Sequence, residues 1–319
     1  MMARWPRRAA AGGVPAAGLL LLCCLWSFSS VRADLLPILS PTSMPRMERQ
    51  VAPLVLLAMT ATLFAFVRRA PWPGRRQAWA CAVVGVGLFA APALLVRFAE
   101  GWVSPLAQVA LFALTPVFAA VLEPHLGRDG AAMRTRGGLA AALAALTGML
   151  GVFPVEIPQS AHAGFAFCAL VLAAACVAAA NCAAVRLARA MPGRSAAPLA
   201  AIAGAAAAAG LAVTSAFTEH PVWSLSALKS ELAWSAAIEL PGLLLLFWLM
   251  RRLSAARMTA RFVLAPLLTS LIGLALLRPS VELRAGIGLL LAAAGAGWMI
   301  FAPEEERESG ASPLHLTGE

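Results

Sequence analysis

The sequence is short of charged residues. Only 13% of its 319 residues are Asp, Glu, Lys or Arg, about half of the ~25% that soluble domains carry. Hydrophobic residues make up 61% of the chain and the mean hydropathy is +0.81. So few solvated groups exclude a water-soluble globule of this size. Apolar runs of 18 or more residues, which predict transmembrane helices, recur along the chain.

Motifs for catalysis or metal binding are also missing. The sequence has no CxxC, HxxxH, HExxH, DxxxD, P-loop or GxSxG pattern, and its four histidines lie far apart. We therefore expect no metal, no cofactor and no enzyme activity. Five of the six cysteines lie in apolar runs, where they act as small apolar fillers. The net charge of +10 comes from short clusters between apolar runs, so nucleic-acid binding is not expected either.

The fold class predicted from these features is an all-α integral membrane protein. Ten apolar runs predict ten transmembrane helices, with short loops between most of them. Their bounds are 14–33, 51–68, 77–97, 102–122, 136–154, 162–185, 196–217, 232–250, 258–277 and 284–302. Residues 303–319 form an acidic tail that we expect to be disordered.

The distribution of arginines predicts the orientation. With the N-terminus in the cytoplasm, 18 of the 25 basic residues face inward, among them the group Arg251, Arg252, Arg257 and Arg261. The other seven, including Arg32 and Arg97, face outward or lie near that edge. This bias favours an even number of spans with both termini cytoplasmic, in the inner (plasma) membrane. The Arg-rich composition, with one lysine and no tyrosine, hints at a GC-rich bacterial genome.

The first apolar run has two interpretations. Its basic start and a Val-x-Ala pattern before Asp34 are also typical of a cleaved signal peptide. We favour a retained helix, because an internal repeat needs this segment as a span.

The repeat appears when the chain is shifted by 150 residues against itself. Residues 104–149 and 254–299 then share 13 identities in 46 ungapped positions, including Ser104 with Ser254 and Pro116 with Pro266. In a chain this rich in Ala and Leu, chance alone would give identical residues at roughly a tenth of the positions. A unit of five spans is odd, so its second copy enters the membrane from the opposite side. The predicted layout is two inverted repeats, 14–154 and 162–302, joined by a linker at 155–161 and preceded by a cytoplasmic segment at 1–13. Such repeats are characteristic of secondary transporters.

Two long stretches of the sequence resemble a known family. "LFALTPVFAAVLEPHLGRD…GGLAAALAALTGMLGVF" and "LMRRLSAARMTARFVLAPLLTSLIGLALLRPSVELRAGIGLLLAAAGAGWMIF" are similar to the fourth–fifth and eighth–tenth helices of the drug/metabolite transporter superfamily, EamA-type. "LLLLCCLWSFSSV", with Trp26, is similar to the first helix of that family. The resemblance implies a small-molecule substrate. After each Pro-bearing helix the family usually has Gly-Glu or a similar acidic pair, whereas this chain has Arg128-Asp129 and Arg278-Pro279.

Six residues are candidates for the substrate or ion pathway. Glu239 lies in the middle of a span, where a charged side chain costs about 2.5–3.5 kcal/mol on insertion scales. It should therefore face a cavity, pair with a cation or stay protonated, and it either couples transport to an ion or is silent. Asn181 hydrogen-bonds to another helix or to substrate, and Glu123 lies at the inner edge of its span. The remaining candidates are Trp26, Pro116 and Pro266.

Pro116 and Pro266 each remove a backbone hydrogen bond near the centre of a span. They act either as hinges beside the pathway or as simple packing kinks. Gly288, Ala292 and Gly295 make one smooth helix face that packs inside the bundle or forms a homodimer seam.

The function expected from these features is secondary transport. We expect an exporter of small metabolites or drugs that works by alternating access, with proton coupling as one option, and that is in contact with membrane lipid. An integral membrane enzyme acting on lipid-linked substrates, or a non-transporting membrane scaffold, are the alternatives.

Overall fold

All regular structure in the described part of the chain is helical. The computed structural model describes residues 9–39, 44–126, 134–191, 195–219, 224–277 and 282–301. Its α-helices are α1 (Ala9–Leu39), α2 (Arg46–Val67), α3 (Arg75–Gly85), α4 (Ala91–Ala99), α5 (Pro105–Phe112), α6 (Leu114–Leu126), α7 (Arg134–Val152), α8 (Ala161–Ala190), α9 (Ala197–Thr218), α10 (Leu225–Trp234), α11 (Leu240–Met250), α12 (Ala255–Thr259), α13 (Arg261–Leu277) and α14 (Leu283–Phe301). The divergent pairs Arg128-Asp129 and Arg278-Pro279 lie outside the described residues.

The helices confirm an α-helical multi-pass membrane protein. Within the described ranges, nine helical segments are long and apolar enough to cross a membrane. They are Gly13–Arg32, Arg46–Val67, Arg75–Ala99, Pro105–His125, Ala161–Ala190, Ala197–Thr218, Leu225–Met250, Ala255–Ala275 and Leu283–Phe301. Each falls on one predicted span. The remaining predicted span, 136–154, coincides with a shorter apolar helix, Gly137–Val152.

The spans Arg75–Ala99 and Leu225–Met250 each contain a π-helical turn, which begins about eleven residues after the start of the span. Val86–Ala90 joins α3 to α4, and Ser235–Glu239 joins α10 to α11. In each, a backbone N–H reaches back five residues, from Ala91 to Val86 O and from Leu240 to Ser235 O. Pro92 and Pro241 stand two residues after the end of these turns. A proline lacks the backbone N–H that would continue the hydrogen bonding of an α-helix. The wider turn accommodates that missing donor.

The helices around Pro116 and Pro266 differ in where they break. The helix breaks at Ala113, three residues before Pro116, so that α5 and α6 are separate helices. In the second copy the break falls at Ala260, six residues before Pro266, and Pro266 lies inside the continuous helix α13. The two prolines therefore do not make matching breaks, whereas Pro92 and Pro241 do accompany matching π turns.

The first helix runs antiparallel to the span formed by α10 and α11, as the contacts between them show. Gly18 of α1 lies beside Leu249, and Ser29, further along α1, binds Glu239, so α1 is antiparallel to α10–α11. Leu19 and Leu22 of α1 are fully buried. The first apolar run is therefore part of the bundle core in this structure.

A very close helix contact joins α7 to α14. A Cβ on Gly295 would lie 2.6 Å from Ala141 O, and one on Gly148 would lie 2.3 Å from Ala292 N. Only glycine permits backbones to approach so closely. The small-residue face of α14, with Gly288 and Ala292, therefore packs within the bundle against α7.

We expect Gly295→Ala to destabilise the protein by about 1–3 kcal/mol, because the added methyl group must push α14 away from α7. Gly297→Ala is the matched control on the same helix, since a Cβ there meets nothing within 4 Å. Thermal unfolding in detergent measures both. Equal melting temperatures for the two variants would contradict the close contact.

Candidate functional site

A buried arginine lies where four spans meet. Arg261, the first residue of α13, is 2% exposed. Its Nη1 donates to Met258 O at 2.7 Å, and its Nη2 donates to Asn181 Oδ1 of α8 at 3.0 Å. Its Nε has no hydrogen-bond partner among the described residues. No carboxylate in the described ranges lies within ion-pair distance of it.

Aromatic rings cover the guanidinium of Arg261. Its Cζ lies 5.0 Å from the centroid of the Trp26 ring and 4.7 Å from that of Phe262. Phe112, the last residue of α5, stacks on Phe262 with centroids 6.1 Å apart. Cations are attracted to the negative faces of such rings, and the attraction is stronger where water is excluded. We call Arg261, Asn181, Trp26, Phe112 and Phe262 the arginine cluster.

The position of Arg261 corrects one expectation from the sequence. The charge count placed Arg261 with Arg251, Arg252 and Arg257 in a cytoplasmic loop, yet Arg261 is buried between helices. The sequence itself indicated burial of Arg261, because residue 261 falls inside the predicted span 258–277. An arginine inside a span must find partners in the protein interior.

Glu239 lies in the second π turn and is half-buried. Its Oε1 accepts a hydrogen bond from Ser29 Oγ of α1 at 2.8 Å, and its Oε2 accepts one from Ser235 Oγ at 3.1 Å. No described lysine or arginine lies within ion-pair distance of it. The carboxyl group is thus held by two neutral hydroxyls, which can serve either its charged or its protonated form.

Two turns earlier on the same face, Glu231 has a full ionic partner. Arg32 of α1 makes a bidentate pair with it, with nitrogen–oxygen distances of 3.2 and 2.9 Å. The Glu231 side chain is only 4% exposed, and Arg32 also lies 4.6 Å over the ring of Trp234. Arg32 was expected to be a simple edge charge. It instead joins α1 to α10.

Helix α1 connects the arginine cluster to Glu239. Trp26 contacts Arg261 and Ser29 binds Glu239, and these two positions are about 4.5 Å apart along the helix axis. Ser27, between them, lies 2.8 Å from Ala265 O, next to Pro266. The cation and the acid are therefore both in contact with α1, at positions about one turn apart.

Glu123 marks one end of the bundle, here called the Glu123 end. Its two carboxylate oxygens accept hydrogen bonds from the backbone N–H groups of Ala255 and Ala256, both at 3.0 Å. A carboxylate is stabilised at the N-terminus of a helix, where such N–H groups lack partners. Nearby, Arg189 donates to Leu253 O at 2.8 Å. Together these bonds join α6 and α8 to the start of α12.

The sequence candidates thus lie in different parts of the bundle. Trp26 and Asn181 contact Arg261, Glu239 binds Ser29, about one turn of α1 from Trp26, and Glu123 binds the start of α12. Pro116 is buried beside the break between α5 and α6. Arg261, Phe112, Ser29 and Pro92 were not among the candidates. The Pro92–Pro241 pair escaped because its members are 149 residues apart, one fewer than the shift that aligns the rest of the repeat.

Comparison with known proteins shows the fold and nothing further. No model of a known protein family matches the sequence, and no curated protein matches it. A solved crystal structure of a protein whose description states no function is similar, with a TM-score of 0.71 at 15% identity. The match covers 91% of this chain and 99% of that one. The chain therefore shares its fold with a solved protein along nearly its whole length.

We expect Arg32→Ala to lower the unfolding free energy by up to about 3 kcal/mol, because it leaves the carboxylate of Glu231 buried without its partner. The control is Arg97→Ala, which removes an exposed pair with Glu100 that has a second partner in Arg46. Exposed pairs contribute about 0–1 kcal/mol. Thermal unfolding of both variants decides the matter, and a loss no larger for Arg32 than for Arg97 would contradict it.

Proposed function

We propose that this protein is a secondary transporter, an exporter of small metabolites or drugs that works by alternating access. Its site in this proposal is the space around α1, between the arginine cluster and Glu239. The resemblance to EamA-type transporters supplies the substrate class. We place the protein in a bacterial inner membrane with both termini in the cytoplasm, so that the Glu123 end is cytoplasmic.

The observation that carries this proposal is the correspondence between the two halves of the bundle. The π turns before Pro92 and Pro241 occupy equivalent spans, and Ser104 and Ser254 cap equivalent helices, α5 and α12. The equivalent pairs α2 with α9 and α7 with α14 pack against each other. Two quasi-equivalent halves around a midplane site can open it alternately to either side.

The structure is unequal at its two ends, as one state of such a cycle would be. At the Glu123 end, α6 packs along α12 and is joined to it by Glu123. The repeat relates this contact to one between α13 and α5, at the opposite end. There the two helices touch at few positions, and Gly273 stands where the first half has Glu123. We interpret this as a state closed toward the cytoplasm.

Glu239 is the coupling residue in this proposal. It is held by the hydroxyls of Ser29 and Ser235 and by no ionic partner in the described ranges, so its protonation can change without breaking an ion pair. Glu231, by contrast, is committed to Arg32. Proton gain and loss at Glu239 would then alter the contact between α1 and the second π turn.

We expect Glu239→Gln to abolish proton-driven transport, because the amide cannot take up or release a proton. Glu156→Gln, at an exposed position in the loop after α7, should leave transport unchanged. The measurement is uptake into proteoliposomes with and without an imposed proton gradient, using substrates first selected by thermal stabilisation of the purified protein. Unchanged uptake in Glu239→Gln would overturn the coupling role.

Counterflow without a gradient tests the wider proposal. The wild-type protein should exchange a preloaded substrate for external labelled substrate. A protein that binds the selected substrates but shows no counterflow for any of them is not their transporter, which would favour the scaffold or enzyme alternatives.

A further inference from the structure

We propose that Arg261 is the binding group for a monoanionic substrate, a carboxylate attached to a flat apolar body. This inference rests on the proposed transport function and names the substrate class of the same site. Its basis is the chemistry of the arginine cluster, which the transport proposal used only to locate the site.

The first step is the charge balance around Arg261. Within the described residues its charge is met by one carbonyl oxygen, one amide oxygen and two ring faces, and by no carboxylate. Another buried ionic group of the bundle, Glu231, has a bidentate arginine partner. A buried guanidinium normally has such a counter-ion, because burial of an unpaired charge is costly. Arg261 has none among the described residues, and its buried Nε has no hydrogen-bond partner there.

The number of charges limits the ligand. Arg261 is the one cation among the five residues of the arginine cluster. One arginine matches one carboxylate, which its planar fork binds through two parallel hydrogen bonds. A phosphate dianion would bring an excess negative charge into the same apolar surroundings.

The second step is the shape of the surroundings. Trp26, Phe112 and Phe262 are each half-buried, with centroid separations of 6.3 Å between Trp26 and Phe262 and 6.1 Å between Phe112 and Phe262. Flat rings at such spacing offer stacking faces to a flat apolar group next to the guanidinium. The cluster thus fits an anion and an apolar body side by side.

The third step is access to the guanidinium. The Trp26 ring covers it in this conformation, so the indole must turn aside for a ligand to bind. Gly242 of α11 lies next to the indole, since a Cβ there would be in ordinary van der Waals contact with Trp26 Nε1, at 3.7 Å. The indole is thus adjacent to the segment that carries Glu239, three residues earlier.

The test compares acids with their amides. Benzoate, 2-naphthoate and indole-3-acetate, each beside its carboxamide, are added to the purified full-length protein, and the melting temperature is measured. We expect at least one carboxylate to raise it, and its carboxamide, which has the same shape without the charge, to bind about tenfold more weakly or worse. No stabilisation by any carboxylate, or equal stabilisation by acid and amide, would overturn the proposal.

Variants assign the effect to Arg261. Arg261→Gln should lose the stabilisation, whereas Arg252→Gln should keep it. Arg252 is the matched control because it also lies over a tryptophan, with its Cζ 4.2 Å from the Trp248 ring centroid, but is exposed at a span end. Binding that survives Arg261→Gln would overturn the proposal.

If Arg261→Gln does not fold, Asn181→Asp tests the same site. This substitution puts a carboxylate oxygen where Asn181 Oδ1 now lies 3.0 Å from Arg261 Nη2. We expect this internal counter-ion to raise the melting temperature of the unliganded protein and to abolish stabilisation by the carboxylates. Retained carboxylate binding would count against the site.

The transport proposal and the anion site can fail separately. Binding without counterflow would contradict transport but not the anion site. Counterflow of acid and amide alike would contradict only the anion site.

Discussion

Charge buried in an apolar bundle is the constraint on which the rest of this structure depends. Each buried ionic group must find partners from neighbouring helices, since neither lipid nor water is available to it. Glu231 is met by Arg32, Glu239 by two serine hydroxyls, and Arg261 by an amide, a carbonyl and aromatic rings. The partners in all three cases include a residue of α1. The first helix is therefore held on one side by α10 and α11 and on the other by α13.

Helix irregularities decide where those groups lie. The π turn before Pro241 carries Ser235 and Glu239 about one turn apart, so that the Ser235 hydroxyl reaches the carboxyl group of Glu239. Its counterpart before Pro92 carries apolar residues only, Val86 to Ala90. The two halves thus share a backbone device, and only the second half uses it to place an acid.

Sequence alone predicts the spans of this protein well and its contacts poorly. A span is visible because hydropathy is a property of twenty neighbouring residues, and Glu239 is visible because every residue near it is apolar. The partner of Glu239 is not visible, since Ser29 lies 210 residues away and serines are common in helices. Arg261 was misplaced for a related reason. Counting charges by loop treats any arginine near a span end as solvated, whereas the turn of helix from Ala255 to Thr259 carries it past the end and into the bundle.

In the proposed transport cycle, the difference between the two ends follows from one difference between the proposed repeats. Glu123 satisfies two backbone N–H groups at the start of α12, which stabilises contact between α6 and α12. Gly273, its equivalent, has no side chain to offer the start of α5, where Pro105 supplies no N–H and the Ser104 hydroxyl accepts from Ala107. In an alternating cycle the state closed at the Glu123 end therefore has a polar contact that the opposite state cannot form. In the proposed cycle the opposite state then needs stabilisation from another source, which ligand at Arg261 or protonation at Glu239, both in contact with α1, would supply.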